Sequence, residues 1–116
     1  MGRSRYRSLT RTRLIVGVFV ITGATAWLRA DAAGVTVSQK DRAFAPATVT
    51  VKAGATLVFK NDDDVTHNSF SMSKGNEFNS KAQQPGETAS VTFKTPGEVE
   101  IRCAFHPKMR MTVTVQ

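Results

Sequence analysis

Apolar and polar side chains alternate with a period of two in a series of short segments after residue 33. These segments are rich in β-branched residues and are separated by turn signals such as Ala53-Gly54 and Pro96-Gly97. Because a β-strand points successive side chains to opposite faces, this period predicts strands with one buried face. We therefore predict an all-β fold, a small Greek-key β-sandwich of about seven to eight strands. The alternating segments are 35–38, 48–51, 57–59, 91–94, 98–103 and 112–115.

Two polar stretches interrupt the alternation. Residues 71–87 contain glycine, asparagine and a Pro-Gly pair, and Phe78 is their one large apolar side chain. We predict that this stretch is the least structured part of the domain and that Phe78 pins it to the core. The acidic run Asp62–Asp64 is predicted to be a solvated loop, since three adjacent acids do not enclose a cation.

The first 32 residues have the pattern of a secretory leader. An arginine-rich start precedes an apolar run from Leu14 to Leu28, which is shorter than the roughly 20 residues that span a bilayer. Ala30-Asp31-Ala32 fits a small-residue cleavage site, and a cut after Ala26 is the weaker option. We predict that residues 1–32 are a cleaved Sec-type signal peptide and that residues 33–116 are the mature domain. An uncleaved membrane anchor is the alternative.

The positive charge of the chain belongs mostly to this leader. The whole chain has a formal charge of +7, but residues 33–116 carry ten Lys and Arg against eight Asp and Glu, about +2. A nearly balanced domain gives no reason to expect a nucleic-acid partner. We expect a periplasmic or secreted monomer that is not stably inserted in a membrane after cleavage.

A single cysteine stands at the start of the segment with the most chemistry. Cys103 cannot form an internal disulfide, and a lone thiol in an oxidising compartment must be buried or occupied. The sequence C-A-F-H-P-K-M places its thiol, the imidazole of His106 and the thioether of Met109 within seven residues, between two predicted strands. His67, the other histidine, follows the acidic run 36 residues before Cys103. A buried, unreactive cysteine is the plainer interpretation of the thiol taken alone.

This set of donors suits copper better than other metals. Thiolate and thioether are soft ligands, and two imidazoles with one thiolate and a distant methionine form the blue-copper arrangement. Structural zinc sites instead use four strong nitrogen or sulfur ligands. We predict one copper ion per chain, held by His67, Cys103, His106 and Met109. Met111 is the alternative axial ligand, but its parity with the last strand predicts that it faces the core.

These residues resemble the plastocyanin/azurin-like cupredoxins, and among them the amicyanin-like group in particular. The resemblance covers nearly all of residues 34–116 and includes the His67-Asn68 pair and the C-x-x-H-P-x-M loop. Amicyanin-like loops have methionine three residues after the second histidine, which matches Met109. Plastocyanin and pseudoazurin have it five residues after, which matches Met111. In both groups a glycine commonly falls two residues after the axial methionine. If Met109 is that ligand, the glycine position is 111, where this chain has Met111.

The resemblance implies a type 1 (blue) copper protein that carries single electrons between redox partners. It implies that Asn68 steadies the loop holding the thiolate, and that Phe105 and Pro107 form an apolar docking patch around His106. A closed ligand set leaves no position for a substrate, so we do not expect an enzyme. The alternative is a copper storage or delivery protein without an electron-transfer partner, for which Met72 would add a soft ligand.

Overall fold

The structure is a computed structural model that describes residues 34–116, and within this range it contains nine strands and no helix. Two sheets, of four and five strands, form a sandwich. The predicted all-β sandwich is therefore confirmed. The strands are β1 (Val35–Lys40), β2 (Ala43–Ala45), β3 (Thr48–Val51), β4 (Ala55–Asn61), β5 (Phe70–Ser71), β6 (Phe78–Asn79), β7 (Thr88–Phe93), β8 (Gly97–Arg102) and β9 (Arg110–Val115).

The chain crosses repeatedly between the two sheets. The strand order is β2-β1-β4-β7 in one sheet and β3-β9-β8-β5-β6 in the other. β1 runs parallel to β4 and β3 runs parallel to β9, while the other pairs are antiparallel. The strand number exceeds the expected seven to eight because β5 and β6 have only two residues each, too few for an alternation to be visible in the sequence.

The period-two pattern fills the space between the sheets. In β8, Val99 and Ile101 are fully buried, whereas Glu98 and Glu100 on the other face are exposed. Burying a side chain of this size contributes about 1.5–3 kcal/mol. The core consists of Val37, Phe44, Val51, Leu57, Phe59, Phe93, Val99, Ile101, Cys103, Met109, Met111, Val113 and Val115.

Phe78 anchors the polar stretch 71–87, as its sequence predicted. The ring of Phe78 lies 6.1 Å from that of Phe59 and 5.9 Å from that of Phe93, measured between centroids. The second pair is edge-on at 89°, a favourable geometry for aromatic rings. One aromatic side chain thereby ties an otherwise polar segment to the core.

One end of the sandwich collects the segments that carry the candidate ligands. β4 ends at Asn61 and leads to His67, while β8 ends at Arg102 and leads to Cys103. The turn between β1 and β2 lies at the same end, because its Arg42 is hydrogen-bonded to Asp63. Within residues 34–116 no helix with the length and hydropathy of a membrane span is found. The predicted signal peptide lies outside the described residues.

Candidate metal centre

The loop between β8 and β9 is closed by two backbone hydrogen bonds. The Cys103 N–H donates to the Met109 carbonyl across 3.3 Å, and the Met109 N–H donates to the His106 carbonyl across 2.9 Å. Pro107 lacks an N–H and restricts one dihedral angle within this loop. Cys103 and Met109 are 2% and 1% exposed. The loop therefore buries the Cys103 thiol and the Met109 thioether. His106 lies between these two residues in the sequence.

His67 is held in place by hydrogen bonds from a separate part of the chain. Its backbone N–H donates to the Gln83 carbonyl across 3.1 Å, and the Gln83 backbone N–H donates to the His67 carbonyl across 2.7 Å. The buried Asn61 side chain donates from Nδ2 to the carbonyls of Val65 and Gln83, both across 2.8 Å. These bonds fix the segment after β4, and His67 at its end is fully buried.

The two loops bring both imidazoles to the same sulfur atom. Nδ1 of His67 and Nδ1 of His106 each lie 3.8 Å from the Cys103 Sγ. The three ligand atoms all lie within 4.8 Å of one another. The imidazole centroids are also 4.8 Å apart, with the rings inclined at 60°. Three of the four predicted donors are thus assembled by strands that are distant in sequence.

This spacing is the one that a shared metal ion requires. Bonds of about 2.0–2.3 Å to nitrogen and sulfur place donors around one ion roughly 3.5–4 Å apart. The 3.8 Å separations from Cys103 to each histidine match that span without any rearrangement. A thiolate with two imidazoles in a buried pocket is a donor set that copper favours.

Asn68 connects the two loops. Its backbone N–H donates to the Cys103 Sγ across 3.5 Å, and its Oδ1 accepts the Ala104 N–H across 2.7 Å. The side-chain amide also lies 3.4 Å from Asn79. A hydrogen bond to sulfur withdraws charge from a thiolate, which is one way in which proteins tune such a site.

Asp63 contacts the site in a way that the sequence did not reveal. Its Oδ2 lies 3.0 Å from the Nε2 of His67, and its side chain is only 11% exposed. The hydrogen bond with His67, followed by one from the Arg42 backbone, holds the pKa of Asp63 well below its usual range. The prediction of a solvated loop is wrong for Asp63, because the turn after β4 directs this carboxylate at the histidine.

The neighbouring acids behave as predicted. Asp62 is exposed, accepts a hydrogen bond from Ser38 across 2.6 Å and pairs with Lys60 across 3.2 Å. Asp64 is also exposed. The three aspartates are identical in type, so the sequence offers little to tell them apart. The one feature that distinguishes Asp63 is its position four residues before His67.

His106 lies at the edge of the site and is partly exposed. A surface cavity of about 450 Å³ opens beside it, and Phe105 at the rim is 53% exposed. Burial, with smaller contributions from the charges of His67 and Arg42, lowers the pKa of His106. A lowered pKa favours the neutral imidazole, which is the form that can bind a metal ion. The cavity is lined by Arg42, Phe105, His106, Pro107, Lys108 and Met109.

The two candidate methionines occupy different places. Met109 lines the cavity beside His106 and closes the loop through its backbone. Met111 lies within β9 opposite Ile101, and it is 3% exposed among the core side chains. The predicted core position of Met111 is confirmed.

A β-sandwich with a cysteine and two histidines converging at one end defines a class of metal-binding domains. The sequence matches the cupredoxin-like domain over residues 12–115, and the chain belongs to that family. The family binds copper, so copper is the cofactor for which the cluster of His67, Cys103 and His106 is suited.

Individual proteins of known structure or sequence support the same assignment. Chloroplastic plastocyanin from Fritillaria agrestis is 35% identical over an aligned region that covers 75% of this chain and 61% of that relative. Amicyanin from Paracoccus versutus superposes with a TM-score of 0.64 at 28% identity, covering 72% of this chain and 81% of amicyanin. A copper-containing nitrite reductase from Thermus scotoductus SA-01 gives a TM-score of 0.67 at 26% identity, over 72% of this chain and only 22% of the reductase.

Proposed function

We propose that this protein is an exported type 1 copper protein that carries single electrons between redox partners. Its ligands would be His67, Cys103 and His106, with Met109 in the axial position. The observation that carries the proposal is the placement of two imidazole nitrogens 3.8 Å from one buried sulfur. The similarity to plastocyanin and amicyanin supports a carrier and not an enzyme.

The burial of the site favours electron transfer over substrate chemistry. His67 is fully buried, and Cys103 and Met109 are 2% and 1% exposed. With four ligands from the protein, no coordination position is left for a substrate or an activated water. Copper bound here would supply a change between two oxidation states, and this chain's residues would hold the donors and exclude water.

The surroundings of the ligands are built to move little. Asn68 joins the two ligand loops through the Ala104 N–H, and the Cys103–Met109 hydrogen bond closes the second loop. Donors fixed in this way do not need to rearrange when the charge of the ion changes. We infer that Asn68 steadies the thiolate loop, in agreement with the 2.7 Å hydrogen bond that its Oδ1 accepts from the Ala104 N–H.

Met109 is the better candidate for the axial ligand. It lines the same cavity as His106. It also lies in the loop between β8 and β9, which carries Cys103 and His106. Met111 is committed to the core by the alternation of β9, where it pairs with Ile101. We therefore propose the short ligand spacing, with methionine three residues after His106.

His106 is the point at which electrons would enter and leave. It is the only one of the four proposed ligands that is not buried. The exposed Phe105 and Pro107 beside it form an apolar patch on which a redox partner can dock. Transient redox contacts of this kind are small in area. Arg42 and Lys108 line the adjoining cavity, so we propose that the partners present acidic groups there.

The alternative of copper storage or delivery has less support from the site. Several methionines clustered at the surface, where they could bind Cu(I), would favour that interpretation. Met72 is 84% exposed, but it lines a different cavity with Phe70 and Arg102, while Met109 and Met111 are buried. These three methionines therefore do not form one exposed cluster.

The absorption spectrum of the protein after loading with Cu(II) tests the proposal. We expect an intense visible band from the thiolate-to-copper transition, with reversible reduction and fast electron self-exchange. A colourless copper adduct would rule out the proposed site. Rapid transfer of Cu(I) to a competing chelator, together with slow self-exchange, would instead support delivery. The mass of the protein after export tests cleavage between the leader and residue 33.

Small redox probes of opposite charge test the proposed class of partner. Oxidation of the Cu(I) protein by anionic hexacyanoferrate(III) should slow in Arg42→Glu and Lys108→Glu, and oxidation by cationic tris(phenanthroline)cobalt(III) should accelerate. Lys94→Glu is the matched control, since Lys94 follows β7 at the opposite end of the sandwich. Equal effects of all three reversals would show that net charge, and not this surface, selects the partner.

A further inference from the structure

One oxygen atom of Asp63 accepts two hydrogen bonds that link the metal centre to the surface. Oδ2 lies 3.0 Å from the Nε2 of His67 and 3.0 Å from the backbone nitrogen of Arg42. Asp62 and Asp64, its two neighbours, make no contact with His67 among those found in residues 34–116. The role of Asp63 is therefore particular to its position and not a property of the acidic run.

The contact with His67 determines which nitrogen of the ring is free. Nδ1 faces the Cys103 sulfur at 3.8 Å, and Nε2 faces the Asp63 carboxylate. A carboxylate accepts hydrogen bonds only, so the ring proton lies on Nε2 and the lone pair lies on Nδ1. The same bond fixes the rotation of the ring. Asp63 thereby prepares His67 to bind an ion beside the sulfur.

Little water screens the charge of Asp63 from the site. His67 is fully buried and the Asp63 side chain is 11% exposed, so water screens their interaction less than it screens a surface pair. A carboxylate that accepts a hydrogen bond from a ligating imidazole makes that imidazole a more basic ligand. Because Cu(II) carries more charge than Cu(I), such a ligand favours the oxidised ion.

The second hydrogen bond secures a strained turn. Asp41 and Arg42 join β1 to β2 and have φ angles of 52° and 54°, the left-handed region that glycine usually occupies in two-residue hairpins. Asp63 accepts the Arg42 N–H in this conformation. One carboxylate thus supports both His67 and the turn that places Arg42 at the cavity beside His106.

We propose that Asp63 is a positioning residue that orients His67 and lowers the reduction potential of the copper. This inference rests on the proposed function, since it takes His67 as a ligand. The expected size of the effect comes from other metal sites. Loss of a carboxylate that is hydrogen-bonded to a metal-binding histidine typically costs about 10–100-fold in metal affinity. We expect that loss to be larger for Cu(II) than for Cu(I).

Asp63→Asn tests the effect of the charge. The amide has nearly the same shape and its oxygen can still accept the His67 proton, so the fold and the ring orientation should be retained. We expect Cu(II) affinity to fall about 10–100-fold and the reduction potential to rise. Each tenfold loss of Cu(II) affinity relative to Cu(I) corresponds to about 59 mV. Asp62→Asn and Asp64→Asn remove the same charge nearby, and their potentials should stay close to wild type.

Asp63→Ala tests the orientation of the ring. It removes both hydrogen bonds, so the copper spectra by absorption and electron paramagnetic resonance should change beyond the change seen in Asp63→Asn. Should the alanine variant fail to fold, Asp63→Asn still decides the question. An unchanged potential in Asp63→Asn, or equal shifts in all three asparagine variants, would overturn the role of Asp63. Failure of the wild-type protein to give the intense band would instead overturn the proposed ligand set.

Discussion

The two histidines of the candidate site face the same sulfur from different environments. His67 is fully buried, paired with Asp63 and bridged through its backbone to Gln83. His106 is partly exposed in a short loop, next to an open cavity and to Phe105, which is 53% exposed. Equal distances of 3.8 Å to Cys103 thus conceal very different surroundings.

This difference suggests a division of tasks between the two proposed ligands. The buried histidine is fixed by the protein and is suited to setting the affinity and potential of the ion. The partly exposed histidine is suited to passing electrons to a partner that covers it. A site with two equally buried histidines would lack an exit, and a site with two exposed ones would admit water.

Replacing the Cys103 sulfur should have the largest effect, because both proposed histidine ligands are gathered around that one atom. Cys103→Ser keeps the size of the side chain but removes the soft thiolate that favours copper. We expect complete loss of the intense visible band and a large drop in Cu(II) affinity, measured by titration against a competing chelator. Met72→Ala, at a position 84% exposed, is the control and should leave both unchanged. A persistent band in the serine variant would refute the ligand role of Cys103.

Adding free imidazole to glycine variants probes the contrast between the histidines directly. Both His67→Gly and His106→Gly should lose the normal copper spectrum. Imidazole in solution should restore it in His106→Gly, because that gap opens to the cavity, and not in His67→Gly, whose gap is buried. The comparison is made by absorption during an imidazole titration. Equal rescue of both variants would contradict the proposed difference in access.

Truncating each methionine separates packing from ligation. Met109 and Met111 are both buried, so each change to alanine should destabilise the copper-free protein by about 2–5 kcal/mol. Only Met109→Ala should also shift the copper band and the potential. Denaturant unfolding and spectra of the two variants measure these effects side by side. A spectral shift confined to Met111→Ala would reverse the assignment.

The smallest effect should appear in the acid stability of the copper-free protein. The pKa of Asp63 is depressed in the folded state, first by His67 and then by the Arg42 backbone. Its stabilisation is therefore present above the pKa of an unfolded aspartate, about 3.9, and is lost as pH falls through the folded value. Unfolding midpoints should fall less steeply below pH 4 in Asp63→Asn than in wild type. Asp64→Asn should follow wild type, and identical curves for all three would show that the carboxylate contributes nothing to stability.

Much of the fold was predictable because its strands are half-buried. The alternation in β8 is visible in the sequence as Glu98, Glu100 and Arg102 against Val99 and Ile101. The two-residue strands β5 and β6 were not predictable, because two residues have no period. Their pairing is set by β8 and by the anchor Phe78, contacts that lie outside their own sequence.

The site was predictable where its chemistry is local. Cys103 and His106 share one short loop, and His67 was the one histidine left to join them. The support behind His67 was not predictable in this way. Gln39 and Gln83 are polar residues that are 0% and 2% exposed, and they meet across 3.2 Å although 44 residues separate them. Only the folded chain brings such groups together.

The unequal origin of the ligands bears on how copper could stabilise the fold. Three proposed donors, Cys103, His106 and Met109, lie within seven residues, so an unfolded chain still offers copper a partial chelate. Metal stabilises a protein only by the difference between its affinities for the folded and unfolded chains. The distant His67 and the burial of the site supply that difference. Copper's contribution to folding should therefore depend mainly on the ligand that arrives from the other loop.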